Sequence, residues 1–229
     1  MTVLSSSVNI PSAPTIPELE AGDHLDQRAF HDRYEQMPPG FRAELIGGVV
    51  QVPSPAKTRH GLPDGLLCTW LGVYRGQTPG TEFMPNLTTV LGGDSEVQPD
   101  GVLVIANGQT RVREDDYLIG SPELVAEVAS STASYDLHSK KRDYERYGVT
   151  EYLVIVARQR RVVWFVRENG VFVEMSPDAG GLLKSRVFPG LWLDPEAFLS
   201  NDYAKVLAVL QDGMKSDDHA EFVKKLAAT

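Results

Sequence analysis

Three residues of this chain stand where metal or acid–base chemistry could be done, and each sits among apolar neighbours. Asp100 lies in Val-Gln-Pro-Asp-Gly-Val-Leu-Val-Ile (97–105), Glu127 in Pro-Glu-Leu-Val-Ala-Glu-Val (122–128), and Lys140 in Asp-Leu-His-Ser-Lys-Lys-Arg-Asp-Tyr (136–144). A carboxylate inside a Val/Leu strand is costly unless a partner holds it. A metal ion is one such partner, and it would explain two acids on neighbouring strands.

Each residue also has a plainer reading. Asp100 after Pro99 suits a strand-start turn, capping a local N–H. Glu127 is harder to dismiss. Strand alternation puts Leu124, Ala126 and Val128 on one side, with Val125 and Glu127 on the other. A strand apolar on both sides is interior, and Glu is among the residues least often buried unpaired. A buried ion pair would explain it too, but such a pair gives a core little net stability, which favours a functional role. Asp136, Lys140 and Tyr144 fall four residues apart, so a helix would carry them on one face. Read functionally, that face points the Lys140 ammonium at the acids, to stabilise phosphate charge or orient a water. Read plainly, it is a surface Asp–Lys pair of little worth. Glu44, before a Gly-Gly turn, offers a third carboxylate. Mg²⁺ takes oxygen ligands and keeps several waters, so two or three carboxylates suffice. His60 reads as a helix-start or loop histidine with no second ligand at useful spacing. No P-loop, Gly-x-Gly-x-x-Gly or Gly-x-Ser-x-Gly motif is present, and Ser130-Ser131 lacks a positioned base.

The elements that must hold these residues follow from punctuation and period. Residues 1–22, rich in Ser, Pro and Thr, read as a flexible leader. A helix is expected from His24 to Met37, stopped by Pro38-Pro39, then a hairpin over 43–52 turned by Gly47-Gly48. Residues 58–75 read as a helix with Leu66, Leu67, Trp70, Leu71 and Tyr74 on its apolar side. Strands are expected near 82–91, 97–105 and 123–129. A helix capped by Thr132 or Ser134 runs to Tyr147 and ends at Gly148. Strands over 151–157, 161–166 and 171–175 follow, the last two around Glu-Asn-Gly. A short helix after Pro195, another over 203–210, and a polar C-terminal tail over 213–229 complete the chain. The fold class is α/β (α+β), with a mixed central β-sheet flanked by helices and an extra β-hairpin in a single domain over 23–212.

The chain's 229 residues carry a net charge of −9, which argues against a generic nucleic-acid binder. The distribution is uneven: residues 134–167 hold 8 Lys+Arg against 4 Asp+Glu, whereas residues 1–133 hold 8 against 17. Phosphate neutralisation needs local rather than overall positive charge, so Lys141, Arg142 and Arg146 are candidate nucleic-acid contacts; a solvated helix face explains the charges equally well. The lone Cys68 excludes an intrachain disulfide. No secretory signal or membrane-spanning run is visible, so a cytoplasmic setting is expected.

The ordered set Glu44-Leu-Ile-x-Gly, His60, Pro99-Asp100, Glu127-Val-x-Ser, Asp136…Lys140…Tyr144 and Gly148-Val-x-Glu-Tyr152 resembles the Uma-two family of restriction-endonuclease-like proteins, in the PD-(D/E)xK nuclease superfamily. The resemblance spans roughly residues 25–200. It implies a restriction-endonuclease-like core, Mg²⁺ or Mn²⁺ dependence, and phosphodiester cleavage of nucleic acid, DNA first. Glu44, Asp100 and Glu127 would be the metal shell and Lys140 the catalytic lysine, with Asp136, Tyr144 and His60 in support. Ala129 stands where a strict Glu-x-Lys signature has lysine, so Lys140 or Lys141 must reach in from the helix. Ala129-Ser130-Ser131-Thr132 replaces Ser-Pro-Ser-Thr, and Gly47 replaces an acid at the hairpin. A catalytically weak or inactive nucleic-acid-binding scaffold on the same fold is the alternative. A homodimer would supply two sites for double-strand cleavage, though no sequence feature shows an interface.

Overall fold

The computed structural model describes residues 17–53, 58–129 and 134–228. Thr132, one of the two expected caps, and Ser130-Ser131 lie outside the described residues, as does most of the expected leader. In chain order the first elements are α1 (Gln27–Tyr34), β1 (Glu44–Ile46), β2 (Val49–Gln51) and α2 (Thr58–Gln77). Six strands follow: β3 (Thr81–Pro85), β4 (Thr89–Gly92), β5 (Ser95–Val97), β6 (Gly101–Ile105), β7 (Thr110–Val112) and β8 (Leu118–Gly120). After β9 (Leu124–Ala129) comes a π-helical turn (Tyr135–Lys140) that runs into α3 (Lys141–Tyr147). The remainder is β10 (Glu151–Val156), β11 (Arg161–Glu168), β12 (Val171–Glu174), β13 (Leu183–Lys184), β14 (Trp192–Leu193), α4 (Pro195–Leu199), α5 (Tyr203–Met214) and α6 (Asp217–Ala227).

The strands form two six-stranded sheets rather than one central sheet. The first has the order β2-β1-β5-β4-β8-β7 and the second β12-β11-β10-β9-β6-β3; β13 and β14 pair separately. Each large sheet is mixed, β4 running parallel to β8 and β9 parallel to β10. Two expected strands are each split between the sheets. The 82–91 stretch breaks at Asn86, which takes a positive φ of 52°. The 97–105 stretch breaks at Pro99-Asp100, where proline removes a ladder donor, so β5 joins the first sheet and β6 the second.

β9 and β10 are buried along their whole lengths, as central parallel strands should be. α2 packs Leu66, Leu67, Trp70, Leu71 and Tyr74 on one face of the second sheet, where Trp70 meets Trp164 edge-on at 5.9 Å. The other face joins side chains of both sheets: Val125, Tyr152 and Phe165 pack with Ile46, Leu91, Leu118 and Tyr144. The crossover from β9 to β10 passes through the π-helical turn and α3. Gly148, at φ 90°, ends α3 in the left-handed conformation that a helix C-terminus favours.

The expected polar tail is helical. Ser216 caps α6, and His219 and Phe222 turn inward, Phe222 meeting Phe188 edge-on at 6.3 Å. No described helix is long and apolar enough to cross a membrane.

Candidate active site

Glu127 lies mid-strand in β9 and is only 4% exposed. Its Oε1 accepts two hydrogen bonds, from Lys140 Nζ at 2.9 Å and from Tyr144 O–H at 2.9 Å. Lys140 also lies 2.9 Å from Glu44 Oε2 and 3.8 Å from Asp136 Oδ1. Asp136 in turn accepts Tyr152 O–H on its backbone carbonyl. The expected alignment of Asp136, Lys140 and Tyr144 therefore holds, although the segment is not one regular helix. Four residues overshoot an α-turn by about 40°. The wider π-turn undershoots instead, so the two errors offset and all three side chains stay buried on one face. Ser134, the described candidate cap, makes no capping hydrogen bond.

Glu44 is brought to Lys140 by the Gly47-Gly48 turn. Those residues take φ of 57° and 77°, the conformation a two-residue hairpin needs. The exposed Gly47 amide then donates to Asp143 Oδ2 on α3 at 2.6 Å, while Gly48 N–H donates to Asp94 O at 2.7 Å. The hairpin is thus pinned to the helix that follows Lys140. Both Glu44 oxygens are engaged, Oε2 with Lys140 and Oε1 with the Gln98 amide at 2.7 Å.

Asp100 occupies the break between β5 and β6. Its Oδ2 accepts the Val128 N–H at 2.6 Å, and its Oδ1 faces His60 Nε2 at 3.4 Å. His60 has a second ligand-bearing neighbour after all: Asp64, one turn along α2. The signal was legible as His60-x-x-x-Asp64-x-x-x-Cys68, a single helical face. Cys68 Sγ lies 3.8 Å from Asp64 Oδ1.

Electrostatics follow from this crowding. Burial pushes the Glu127 carboxyl well above its usual range against the pull of Lys140, with Asp100, Asp136 and Glu44 adding repulsion. Burial also opposes the Lys140 ammonium, but Glu127, Glu44 and Asp136 outweigh it and hold the proton firmly. The hydrogen bond to Asp100 lifts His60 to about 9. Burial, then the Asp100 charge, raises Asp64. Burial pushes the Cys68 thiol up to about 11, so it is a thiol rather than a thiolate at neutral pH.

The expected cationic contacts are partly spent within the chain. Arg146 pairs with Asp94 and Asp143, and Lys141 lies over the Phe165 ring at 4.8 Å. Arg142 is exposed. Glu151 is the acid that sequence reasoning passed over as a family-motif residue. It is fully buried and accepts from Trp164 Nε1, Ser185 Oγ and the Arg186 and Val187 amides, a saturated structural role.

The donor set fits a hard divalent cation. Asp100, at the entry to β6, and Glu127, on the adjacent β9, offer oxygens, and three carboxylates (Glu44, Glu127 and Asp136) surround the Lys140 ammonium, leaving the centre rich in negative charge. Comparison with known proteins places the fold and the family. The crystal structure of a putative nuclease belonging to DUF820 from Anabaena variabilis ATCC 29413 is similar, with a TM-score of 0.56 at 16% identity over 73% of this chain and 97% of that one. No curated protein matches the chain. The model of the Uma-two family, described as putative restriction endonuclease, matches residues 31–196, well over half of the chain, and the chain belongs to that family.

Proposed function

We propose that this protein is a divalent-metal-dependent endonuclease that hydrolyses phosphodiester bonds of nucleic acid, with DNA as the substrate and Mg²⁺ or Mn²⁺ as the ion. The observation that carries the reading is the buried Lys140 ammonium 2.9 Å from Glu127, on the strand that also binds Asp100. Asp100 and Glu127 would hold the ion. When bound, such an ion lowers the pKa of water and neutralises the scissile phosphate. The chain supplies the rest. Lys140 presents a fixed positive charge, able to orient the attacking water and stabilise charge developing on the phosphoryl oxygens. Glu44 and Asp136 hold the Lys140 side chain in place, and Tyr144 fixes Glu127 through the same oxygen that Lys140 contacts. Arg142 is the exposed cation of α3 best placed to meet the nucleic-acid backbone. The lone Cys68 suits a reducing, cytoplasmic setting, and a homodimer would give a duplex two cutting sites.

A second reading has its own support: Lys140 is surrounded by acids, and Lys141 and Arg146 are engaged internally. That reading is a nucleic-acid-binding scaffold without turnover. Plasmid and single-stranded DNA incubated with Mg²⁺, Mn²⁺ or EDTA separate the two. Metal-dependent cleavage lost in Glu127→Gln and Lys140→Ala supports the nuclease. Salt-sensitive binding by a folded wild type that cleaves nothing in either metal supports the scaffold.

A further inference from the structure

α2 sets His60 and Asp64 one turn apart, both half-buried and both turned toward Asp100. One ligand-capable atom from each of the three lies within 4.8 Å of the others. His60 and Asp64 stand apart from the acids that contact Lys140, which are Glu44, Glu127 and Asp136 on the α3 side of the sheet.

A second observation concerns how the donors are aimed. Val128 fixes two of them with its own backbone. Its N–H donates to Asp100 Oδ2 at 2.6 Å, and its carbonyl lies 3.0 Å from His60 Nδ1. With Nδ1–H held by a carbonyl, the imidazole presents Nε2 toward Asp100 and Asp64. That is how the protein surroundings fix the tautomer and ring direction of a metal-binding histidine. Val128 sits in a central strand buried along its length, so both donors are anchored to a rigid element. A cation bound at Nε2 takes the place of the proton that Asp100 holds there, and two carboxylates beside the resulting neutral imidazole carry two negative charges, which a dication balances.

We propose that His60, Asp64 and Asp100 form a divalent-cation site on the α2 side of the sheet, selective for Mn²⁺ and similar first-row ions over Mg²⁺. The selectivity follows from the donors. Mg²⁺ takes oxygen ligands and keeps its waters, whereas an imidazole nitrogen suits the first-row transition ions. The Asp100–Glu127 pair offers only oxygens and suits Mg²⁺ equally well. The inference leans on the nuclease reading in one respect, that Asp100 serves both donor sets. The cation site itself stands on the geometry of α2 and β9.

Isothermal calorimetry of the untagged full chain with MnCl₂ and, separately, MgCl₂ tests it, using wild type, His60→Gln, Asp64→Asn and Glu127→Gln. The expected result is Mn²⁺ affinity weakened about 10-fold or more in both His60→Gln and Asp64→Asn, the usual scale for a disturbed ligand shell. Mg²⁺ binding should change far less in His60→Gln, and Glu127→Gln should retain the His60-dependent Mn²⁺ site. Asp64 is half-buried and the amide matches its shape, so folding, checked by circular dichroism, should survive in at least one of the two site variants. Folded His60→Gln or Asp64→Asn protein that binds Mn²⁺ as tightly as wild type overturns the proposal. A wild type that cleaves nothing in any ion, yet loses Mn²⁺ binding with His60 or Asp64, upholds this site and sinks only the nuclease reading.

Discussion

Replacing Lys140 with methionine keeps most of the unbranched side chain and removes its charge, which makes it the sharpest probe of the site. Lys140 is 6% exposed, and its ammonium lies 2.9 Å from Glu44, 2.9 Å from Glu127 and 3.8 Å from Asp136. At an effective dielectric of about 20, each 2.9 Å pair carries roughly 6 kcal/mol of attraction. Desolvation of the charges cancels much of that, and removing one partner of a buried pair costs about 3–5 kcal/mol net. Against a typical stability of about 5–15 kcal/mol, the variant should fold but be clearly weakened. The loss must depend on pH. Burial already raises Glu127 in the folded state above its unfolded value near 4.3, and without Lys140 nothing opposes that burial. Groups raised in this way destabilise the fold once they ionise, so the penalty is full above their folded pKa and fades as pH falls toward about 4.3. Urea unfolding of wild type and Lys140→Met at about pH 8 and about pH 5 gives both numbers. Adding Glu127→Gln to the variant should recover about 1–3 kcal/mol at the higher pH, since one stranded charge is gone. A loss under about 1 kcal/mol at pH 8, or the same loss at both pH values, would refute the claim that Lys140 is what lets these acids be buried.

Three further outcomes are expected. Asp143→Ala removes the acceptor of the Gly47 amide and frees the hairpin bearing Glu44, costing about 1–3 kcal/mol by thermal or urea unfolding; an unchanged midpoint would show that the hairpin is held some other way. Glu151→Ala strands the Trp164, Ser185, Arg186 and Val187 donors together, so a loss above about 3 kcal/mol is expected in the same assay. His60, lifted to about 9 by Asp100, contributes stability that is complete below its unfolded pKa near 6.5 and is lost as pH rises through the folded value. Metal-free protein in EDTA should therefore lose on the order of 2–3 kcal/mol between about pH 6.5 and 9.5, and His60→Gln should flatten that slope.

How much of the site was legible depended on what each residue costs its surroundings. Glu127 could be singled out because a carboxylate in a doubly apolar strand must be paired, and the structure places it against Lys140 and Tyr144. Asp64 was missed because an acid on a half-exposed helix costs little, and only the fold brings Asp100 beside it. The roles of Lys141 and Arg146 were illegible for a related reason. Charge count cannot show that Phe165 or Asp94, distant in sequence, occupies them first. The two split strands carried local signals, Asn86 at one and Pro99 at the other, but apolar content alone ran each pair together. The C-terminal helix hid behind its polarity, since His219, Phe222 and Leu226 repeat at helical spacing within an otherwise charged segment.

Ala129 explains why the lysine comes from a helix. It lies two residues beyond Glu127, on the same face of β9, fully buried in the cluster that holds Tyr144, Val154 and Val156. A lysine stem there would have to displace that packing. The π-helical turn delivers the ammonium to the same carboxylate from outside the sheet, and Glu44 and Asp136 keep it there. Such a lysine is positioned by three separate segments: the hairpin, the turn and the strand. The centre is therefore assembled when the hairpin docks, through β5, Asp94 and Asp143 together. The chemistry proposed for it is tied to tertiary packing rather than to a short motif along one strand, which is why a strict Glu-x-Lys search passes over this chain while the ordered, widely spaced residues do not.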